Sequence, residues 1–329
     1  MTILVTGAAG FIGFHTSKKL LEAGESVVGI DNLNDYYDPA LKQARLEILQ
    51  QYSSFTFHQV DIADKTAMMD LWCSHPDILK IVHLAAQAGV RYSIKDPYAY
   101  ADSNLTGFLT ILELCRAREG FQHLVYASSS SVYGSNTEMP YATHQKTDQP
   151  KSLYGATKKA NELMAYAYAD LYKIPATGLR FFTVYGPWGR PDMAYYSFAR
   201  DILADRPIKI FNNGNLKRDF TYIDDIVSGV IAAIDSPPGA SSPHAVFNLG
   251  NHQAENLMDF IATIEKALGK SANIEMLPMQ PGDVHETFAD ISEAEKILGY
   301  APKTAIAEGI PRFIEWYAEF HKQDLEEAS

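Results

Sequence analysis

The sequence predicts an α/β fold in which a doubly wound parallel sheet is joined to a smaller C-terminal α/β lobe. Short apolar runs alternate with longer amphipathic segments through the first half of the chain, a pattern typical of parallel strands connected by helices. A glycine-rich turn follows the first apolar run directly. After about residue 182, proline and glycine become frequent and the predicted elements shorten, which indicates a second, smaller lobe.

Apolar runs of the length of buried strands define the first six strands, at residues 3–6, 26–31, 56–60, 81–84, 124–128 and 176–181. Helical spacing predicts helices between them at 14–23, 40–50, 65–73, 98–118 and 154–172. Right-handed crossovers place these helices on both faces of one sheet. Pro175 accounts for the end of the last helix.

The second half contains shorter predicted elements, with helices at 195–203, 225–234, 257–268 and 307–320 and a strand at 245–249. We therefore divide the chain at residue 182, into parts 1–182 and 183–329. Segments near 219–250 are expected to return to the first part. The polar tail at 323–329 is expected to be frayed.

The composition excludes several classes of protein. The 329 residues include 28 Lys+Arg and 40 Asp+Glu, and the net charge of -12 disfavours binding to nucleic acid polymers. Cys73 and Cys115 are too few for a disulfide framework, and the histidines lack ligand spacing, so no metal is predicted. The N-terminus lacks the basic region of a signal peptide, and no apolar run reaches about 18 residues. We expect a cytoplasmic protein without a membrane segment.

The glycine-rich turn indicates a nucleotide cofactor. It reads Gly7-Ala8-Ala9-Gly10-Phe11-Ile12-Gly13, between the first strand and the first helix. Glycines permit a tight turn and let backbone N–H groups approach a pyrophosphate, while the helix N-terminus adds partial positive charge. The context of strand, turn and helix makes the motif specific. A glycine-rich turn without a ligand is the alternative.

Further cofactor contacts are predicted at the ends of the next strands. A carboxylate at Asp31 can accept hydrogen bonds from both adenosine ribose hydroxyls and repels a 2′-phosphate, which favours NAD over NADP. The neighbouring Asn32 belongs to the same predicted site. Asp61 and Ile62 follow the third strand, where an adenine contact is expected, although Asp61 could equally cap the next helix. The small residues that end the fourth strand suit close approach of a cofactor: Leu84, Ala85, Ala86 and Gln87.

Tyr154 and Lys158 are the candidate catalytic pair. Their spacing of four residues places both side chains on one helix face, although any helix can carry such a pair by chance. A nearby ammonium is expected to lower the pKa of the phenol, so that Tyr154 acts as a general base. A serine cluster after strand five can hold a substrate hydroxyl. Asn104 either keeps a water molecule in the proton relay or is a polar residue on a helix face.

Together these residues resemble the extended short-chain dehydrogenase/reductase superfamily over nearly the whole chain, and residues 180–187 continue its order of motifs. The resemblance implies a Rossmann-type NAD-binding domain at 1–182 and a sugar-nucleotide-binding lobe at 183–329. It further implies tightly held NAD that is used transiently. Counting back from residues 132–134 places the catalytic hydroxyl on Ser129, with Ser128 and Ser130 as its neighbours.

Within that superfamily, residues 31–37, 83–93 and 186–192 closely resemble UDP-glucuronate 4-epimerases. A sugar carboxylate needs donors, which Arg190 or Arg91 could supply, with a hydroxyl from Thr183. Both arginines could instead be ordinary surface residues. The remaining substrate contacts that the resemblance implies are Ser129, Ser130, Arg218 and Asp283. Many relatives have arginine where this chain has Gln280, and Arg218 could instead pair with a neighbouring aspartate.

The predicted function is NAD-dependent 4-epimerisation of UDP-glucuronate to UDP-galacturonate through a 4-keto sugar, in polysaccharide biosynthesis. The alternatives are a UDP-glucose/UDP-galactose 4-epimerase, a UDP-glucuronate decarboxylase and a non-catalytic NAD-binding regulator. Related decarboxylases and dehydratases carry acidic residues where this chain has Ser130 and Ser131, which favours epimerisation. The resemblance also implies a homodimer formed by the helices at 98–118 and 154–172.

Overall fold

The computed structural model describes residues 1–279 and 285–322 of the chain. Its first strands are β1 (Thr2–Thr6), β2 (Ser26–Asp31), β3 (Phe55–Gln59), β4 (Ile78–His83), β5 (His123–Ser129) and β6 (Ala176–Phe181). The accompanying helices are α1 (Phe11–Glu22), α2 (Pro39–Leu49), α3 (Lys65–Ser74), α4 (Tyr92–Lys95), α5 (Pro97–Tyr100), α6 (Phe108–Ala117) and α7 (Leu153–Tyr172). These elements alternate as predicted.

The second half holds shorter strands between its helices. The strands are β7 (Thr183–Tyr185), β8 (Ile208–Ile210), β9 (Lys217–Arg218), β10 (Phe220–Tyr222), β11 (His244–Leu249), β12 (Glu255–Asn256), β13 (Ile274–Met276) and β14 (Glu286–Thr287). The helices are α8 (Ala194–Leu203), α9 (Ile223–Asp235), α10 (Leu257–Leu268), α11 (Ser292–Leu298) and α12 (Ile306–Phe320). No helix within the described residues is long and apolar enough to cross a membrane.

The central sheet has seven parallel strands in the order β11-β6-β5-β4-β1-β2-β3. The chain moves outward from β1 to β3 and then crosses back to β4. This reversal confirms the predicted doubly wound α/β fold. It also opens a crevice beyond the carboxyl ends of β1 and β4, which is where such sheets bind ligands.

The smaller lobe shares its hydrophobic core with the sheet. The strand β11 pairs with β6, so the chain returns to the sheet after α9. Within the lobe, the rings of Phe220 and Phe260 stack with centroids 3.8 Å apart, and Phe313 of α12 packs edge-on against Tyr195 of α8. One buried apolar cluster extends from Val5 of β1 to these side chains. The predicted division at residue 182 stays a prediction.

The helix predicted at 98–118 is wrong in one respect, because it is not a regular α-helix. A wider π-helical turn, Ala101–Gly107, separates α5 from α6. In that turn the carbonyl of Asn104 accepts a hydrogen bond from Asn161 of α7 at 2.6 Å, and its side chain bonds to the backbone of Gln87. Such turns occur frequently at functional sites. The π-helical turn therefore coincides with contacts to α7 and to the segment after β4. Apolar spacing in the sequence indicates neither the turn nor these contacts.

Two histidines lie buried in the central sheet. His83 Nδ1 is 2.8 Å from the Thr6 hydroxyl, and His123 Nε2 is 2.9 Å from the Thr177 hydroxyl. Burial lowers the pKa of His83 to about 3 and the pKa of His123 to about 4. Histidine in an unfolded chain has a pKa of about 6.5, so unfolding takes up protons below that pH.

We expect the free energy of unfolding to be highest above pH 6.5 and to fall as the pH is lowered toward 4. Each of the two histidines contributes about 2 kcal/mol to the loss between pH 7.5 and pH 5. Denaturant unfolding at both pH values measures the loss, which should be smaller by that amount in His123→Gln. The variant His144→Gln, which removes an exposed histidine, serves as the control. An identical pH dependence in His123→Gln and the wild type would contradict the assignment.

Candidate active site

A pocket lies in the crevice between β1 and β4 and extends to the start of α7 and the segment after β7. Its walls combine backbone from the glycine turn with side chains from both lobes. Of the residues predicted from sequence, those that line it are Gly7, Gly10, Phe11, Ile12, Gly13, Asp31, Asn32, Ile62, Leu84, Ala85, Ala86, Gln87, Ser129, Tyr154, Lys158 and Arg190. The fold therefore brings the glycine turn and the Tyr154/Lys158 pair into one site.

The glycine positions of the turn leave no room for a side chain. Gly7 has φ +70°, and a Cβ there would lie 2.9 Å from the Ala85 nitrogen. A Cβ on Gly13 would overlap the Gly7 carbonyl oxygen. The helix α1 begins just after Gly10, which provides no side-chain cap, and no acidic residue lies in its first turn. The first amides of the helix thus face the pocket, and this arrangement fits the pyrophosphate of a dinucleotide.

The end of β2 carries the group expected to bind a ribose. Asp31 Oδ1 accepts a hydrogen bond from the Leu33 amide at 2.9 Å and lies 3.5 Å from Lys42 Nζ. Lys42 also donates to Asn34 Oδ1 at 2.9 Å. This buried lysine lines the pocket and was missed from sequence. It lies on α2, and apolar spacing gives no sign that this helix turns it toward Asp31.

Asp61 supports the site from outside the pocket lining. Its Oδ2 accepts from Asn32 Nδ2 at 2.9 Å, and its Oδ1 accepts from the Ala63 amide at 2.8 Å. Asp61 thus orients Asn32, which lines the pocket, and its predicted adenine contact stays a prediction. The alternative helix cap is wrong, because Asp64 caps α3 through the amides of Thr66 and Ala67.

Tyr154, Lys158 and Ser129 meet at the inner end of the pocket. The first two residues lie one turn apart near the start of α7, and Ser129 ends β5. Lys158 Nζ donates to the Ala127 carbonyl at 3.0 Å, which draws the buried ammonium toward the end of the same strand. Burial lowers the pKa of Lys158 to about 8. The ring of Tyr100 packs edge-on against Tyr154 at 6.1 Å.

The electrostatics of Tyr154 differ from the prediction. Burial raises the pKa of its phenol, and the groups that oppose this most are the Arg190 guanidinium and the Ser129 hydroxyl. Asp192 adds to the rise. The expected lowering by Lys158 is not among these influences. The charge near Tyr154 is therefore set by the 187–193 segment as well as by α7.

A buried ion pair between Glu162 and Arg180 distinguishes Ser128 from Ser129. Ser128 Oγ donates to Glu162 Oε1 at 2.7 Å, and Glu162 also accepts from Arg180 Nε at 2.8 Å. Ser128 is thus engaged on the side of α7 and β6. Ser129 Oγ accepts from the Ser131 amide at 3.1 Å and forms the hydrogen bond that lowers the pKa of Tyr154. This geometry supports Ser129 as the candidate hydroxyl.

Asn104 lies behind the pocket and does not line it. Its Oδ1 accepts from the Gln87 amide at 2.8 Å, and its Nδ2 donates to the Gln87 carbonyl at 3.1 Å and to Thr157 Oγ1 at 3.1 Å. These bonds link the end of β4 to α7. Asn104 therefore positions the segment that lines the pocket, and its predicted place in the cofactor site and the proton relay stays a prediction.

The other predicted substrate residues that the structure describes lie outside the pocket lining. The guanidinium of Arg91 lies 5.1 Å from the ring centroid of Phe211. Arg218 Nη1 donates to the carbonyls of Lys217 and His285 at 2.8 and 3.2 Å. Ser130 and Thr183 adjoin lining residues without lining the pocket themselves. Asp283 and Gln280 lie outside the described residues. Arg190 is thus the predicted arginine that the structure brings to the catalytic pair.

Several lining residues were missed from sequence, including Asn34, Tyr36, Tyr37, Ser103, Phe181 and Met193. The first three stand in the 31–37 segment, of which only Asp31 and Asn32 were predicted as cofactor contacts. The resemblance of that segment to UDP-glucuronate 4-epimerases was the available signal for Asn34, Tyr36 and Tyr37. Across residues 1–279 and 285–322, no group of three or more His, Cys, Asp or Glu side chains could hold a metal ion.

Comparison with known sequences identifies the family. The sequence pattern of the NAD dependent epimerase/dehydratase family matches residues 3–250, which is most of the chain. The chain belongs to this family. Membership confirms the predicted resemblance and the prediction of an NAD-dependent enzyme, and the glycine turn and Asp31 fit that cofactor.

One relative and two solved structures match this family member over nearly their whole lengths. The chain is 45% identical to the probable UDP-glucuronate 4-epimerase of Rhizobium meliloti, covering 98% of both chains. UDP-glucuronic acid 4-epimerase from Bacillus cereus, solved with UDP-glucuronic acid and NAD, is 36% identical with a TM-score of 0.90, covering 97% of this chain and 100% of that one. UDP-glucose 4-epimerase from Thermotoga maritima is 29% identical with a TM-score of 0.87, covering 97% and 99%.

Proposed function

We propose that this protein interconverts UDP-glucuronate and UDP-galacturonate by NAD-dependent epimerisation at C4. The observation that carries the proposal is the presence of Arg190 in the same pocket as Ser129 and Tyr154. A uronate differs from a neutral hexose by its carboxylate, and arginine is the side chain suited to bind one. The names of the Rhizobium and Bacillus relatives support the same substrate.

Different residues of the pocket bind the cofactor and transfer the proton. The glycine turn and the start of α1 hold the pyrophosphate of NAD, Asp31 holds its adenosine ribose, and Lys158 holds its nicotinamide ribose. A bound NAD would supply reversible hydride transfer at C4 of the sugar. Tyr154, assisted by Ser129, removes the proton of the 4-hydroxyl and later returns it. The sugar turns over between the two transfers, so one set of residues serves both faces.

The direct test is to incubate the purified protein with UDP-glucuronate without added NAD. We expect UDP-galacturonate to form, because the cofactor is regenerated in each turnover and stays bound. Chromatography of the sugar nucleotides measures the products. Release of CO2 with UDP-xylose as the main product would instead identify a decarboxylase. Turnover of UDP-glucose without turnover of UDP-glucuronate would overturn the proposed substrate.

Arg190→Ala should separate the two sugar classes. We expect kcat/KM for UDP-glucuronate to fall about 100-fold, the size of a lost charge-assisted hydrogen-bonded pair. The loss for UDP-glucose should be smaller, because it arises only from the effect of Arg190 on the pKa of Tyr154. Arg206→Ala, which removes an exposed arginine of the same lobe, is the control. Equal losses on both sugars would exclude a role for Arg190 in binding the carboxylate.

We also propose that two copies pair through α6 and α7. The outward side of this region exposes large apolar side chains: Tyr98 at 79%, Leu163 at 59%, Tyr166 at 60% and Leu171 at 69%. A patch of this kind on helices supports an isologous contact, in which the same face serves both subunits. The predicted cytoplasmic location and the role in polysaccharide biosynthesis stay predictions.

Leu163→Glu should convert the dimer to a monomer, because it would bury a carboxylate at the centre of the contact. Light scattering after size-exclusion chromatography measures the mass. Leu153→Glu, at the exposed first residue of α7, tests whether a charge elsewhere on the helix has the same effect. A wild-type protein that is already monomeric at high concentration would contradict the pairing.

A further inference from the structure

The arginine that faces the catalytic pair is already bound to an acidic side chain. Arg190 Nη2 lies 3.1 Å from Asp192 Oδ2, and the Tyr36 hydroxyl donates to that same oxygen at 3.2 Å. Arg190 and Tyr36 both line the pocket. The proposed uronate site thus already contains a carboxylate, that of Asp192. It is bound to Arg190, the residue proposed to bind the carboxylate of the sugar. This arrangement opposes tight binding of a uronate.

The pair of Arg190 and Asp192 is kept in position in part by Tyr36. The ring of Tyr36 packs edge-on against Tyr92 with centroids 4.8 Å apart. Gly89 makes room for its hydroxyl, since a Cβ at that position would lie 2.6 Å from the Tyr36 oxygen. The hydroxyl that orients Asp192 is therefore fixed by the segment that follows β4.

The pair is also held from the side of its own segment. Arg45 is fully buried, and its Nη2 donates to the carbonyls of Trp188 and Gly189 at 2.6 and 3.2 Å. Its Nη1 donates to the Ala9 carbonyl at 2.7 Å, which ties this segment to the glycine turn. The backbone that leads into Arg190 is therefore anchored, and the distance between Arg190 and Asp192 is a property of the folded pocket.

We propose that Asp192 sets the charge selectivity of the sugar site by competing with the carboxylate of the substrate for Arg190. The inference rests on the proposed function and deepens it. A neutral hexose leaves the ion pair intact, whereas a uronate must share or displace Asp192. A guanidinium has five N–H donors, so sharing is possible, but the two carboxylates repel each other. Asp192 therefore lowers the affinity of Arg190 for the carboxylate of the uronate. That carboxylate must leave Arg190 when the sugar turns over.

The test compares sugar binding in Asp192→Asn, which keeps the shape and the hydrogen-bond acceptor but removes the charge. Calorimetric titration of the NAD-loaded protein in a Tyr154→Phe background measures affinity without turnover. We expect about fivefold tighter binding of UDP-glucuronate, the scale of a partly exposed ion pair, and less than a twofold change for UDP-glucose. Asp201→Asn, which breaks a similar pair with Arg200 on α8, should change neither affinity.

A second readout is the pH dependence of kcat/KM in Asp192→Asn with Tyr154 intact. Tyr154 faces Arg190, Asp192 and Ser129, and the carboxylate of Asp192 raises its pKa. The limb of the profile that reports Tyr154 should therefore move to lower pH. A purely structural role for Asp192 would not produce that direction of shift.

Equal changes for the two sugars, or weaker binding of UDP-glucuronate, would overturn the role of Asp192. Tyr36→Phe, which removes only the hydroxyl bonded to Asp192, gives a milder perturbation if Asp192→Asn unfolds. It should shift the two affinities in the same unequal sense. A wild-type protein that turns over only UDP-glucose would overturn the proposed function and this inference together. Normal uronate turnover with unchanged selectivity in Asp192→Asn overturns the inference alone.

Discussion

Tyr154→Phe should lower the turnover of UDP-glucuronate about a thousandfold, within the range expected for the loss of a general acid–base group. The change removes one oxygen atom from a side chain that faces Ser129 and lies one helical turn from Lys158. The ring still packs against Tyr100, so the shape of the pocket is kept. We expect the NAD content and the affinity for the sugar nucleotide to stay near wild-type values, because neither depends on proton transfer.

The matched control for this variant is Tyr168→Phe. It removes a hydroxyl from the same helix α7, where Tyr168 donates to Glu113 at 2.5 Å away from the pocket lining. Turnover should then change less than twofold. A Tyr154→Phe protein that retains a tenth or more of wild-type turnover would rule out Tyr154 as the group that moves the proton.

Gly13→Ala should abolish the retention of NAD through purification. A Cβ on Gly13 would overlap the Gly7 carbonyl oxygen and lie 2.7 Å from the Gly7 carbonyl carbon. Both atoms belong to backbone, so no side-chain rotation relieves the contact, and α1 must move away from the turn. The amides at the start of α1 would then no longer meet the pyrophosphate.

The cofactor content per subunit, measured by absorbance after denaturation, tests this result. Gly239→Ala is the control, because a Cβ there meets nothing within 4 Å. It should leave both the cofactor content and the thermal stability unchanged. Near-stoichiometric NAD in folded Gly13→Ala would show that the close approach of helix and turn is dispensable.

The parts of the site that sequence predicted are those set by local spacing. The glycine turn, Asp31 at the end of β2, and the Tyr154/Lys158 pair each depend on a few neighbouring residues and on the strand or helix that carries them. Apolar periodicity located all seven strands of the central sheet, β11 included, within a few residues, for the same reason. The hydrogen-bond partners of Asp61 and Asn104 were not predicted, because each side chain reaches backbone or side chains of other segments.

The sequence alone does not decide whether Arg91 or Arg190 binds the carboxylate. Arg91 follows β4 and Arg190 follows β7, and either could bind a carboxylate. Only the packing of the 187–193 segment against α2 and the glycine turn brings Arg190 to the pocket, through the buried Arg45. Arg91 instead lies against Phe211.

The sequence by itself determined the doubly wound fold, the family and the candidate catalytic pair, because strand and helix periods and the motif spacings are local properties of the chain. The tertiary structure decided which charges are neighbours. It placed Asp192 beside Arg190 and Lys42 beside Asp31. It also made burial the main influence on the pKa of Tyr154. These properties depend on desolvation and on distances between segments far apart in sequence, which arise only when the sheet and the smaller lobe pack together.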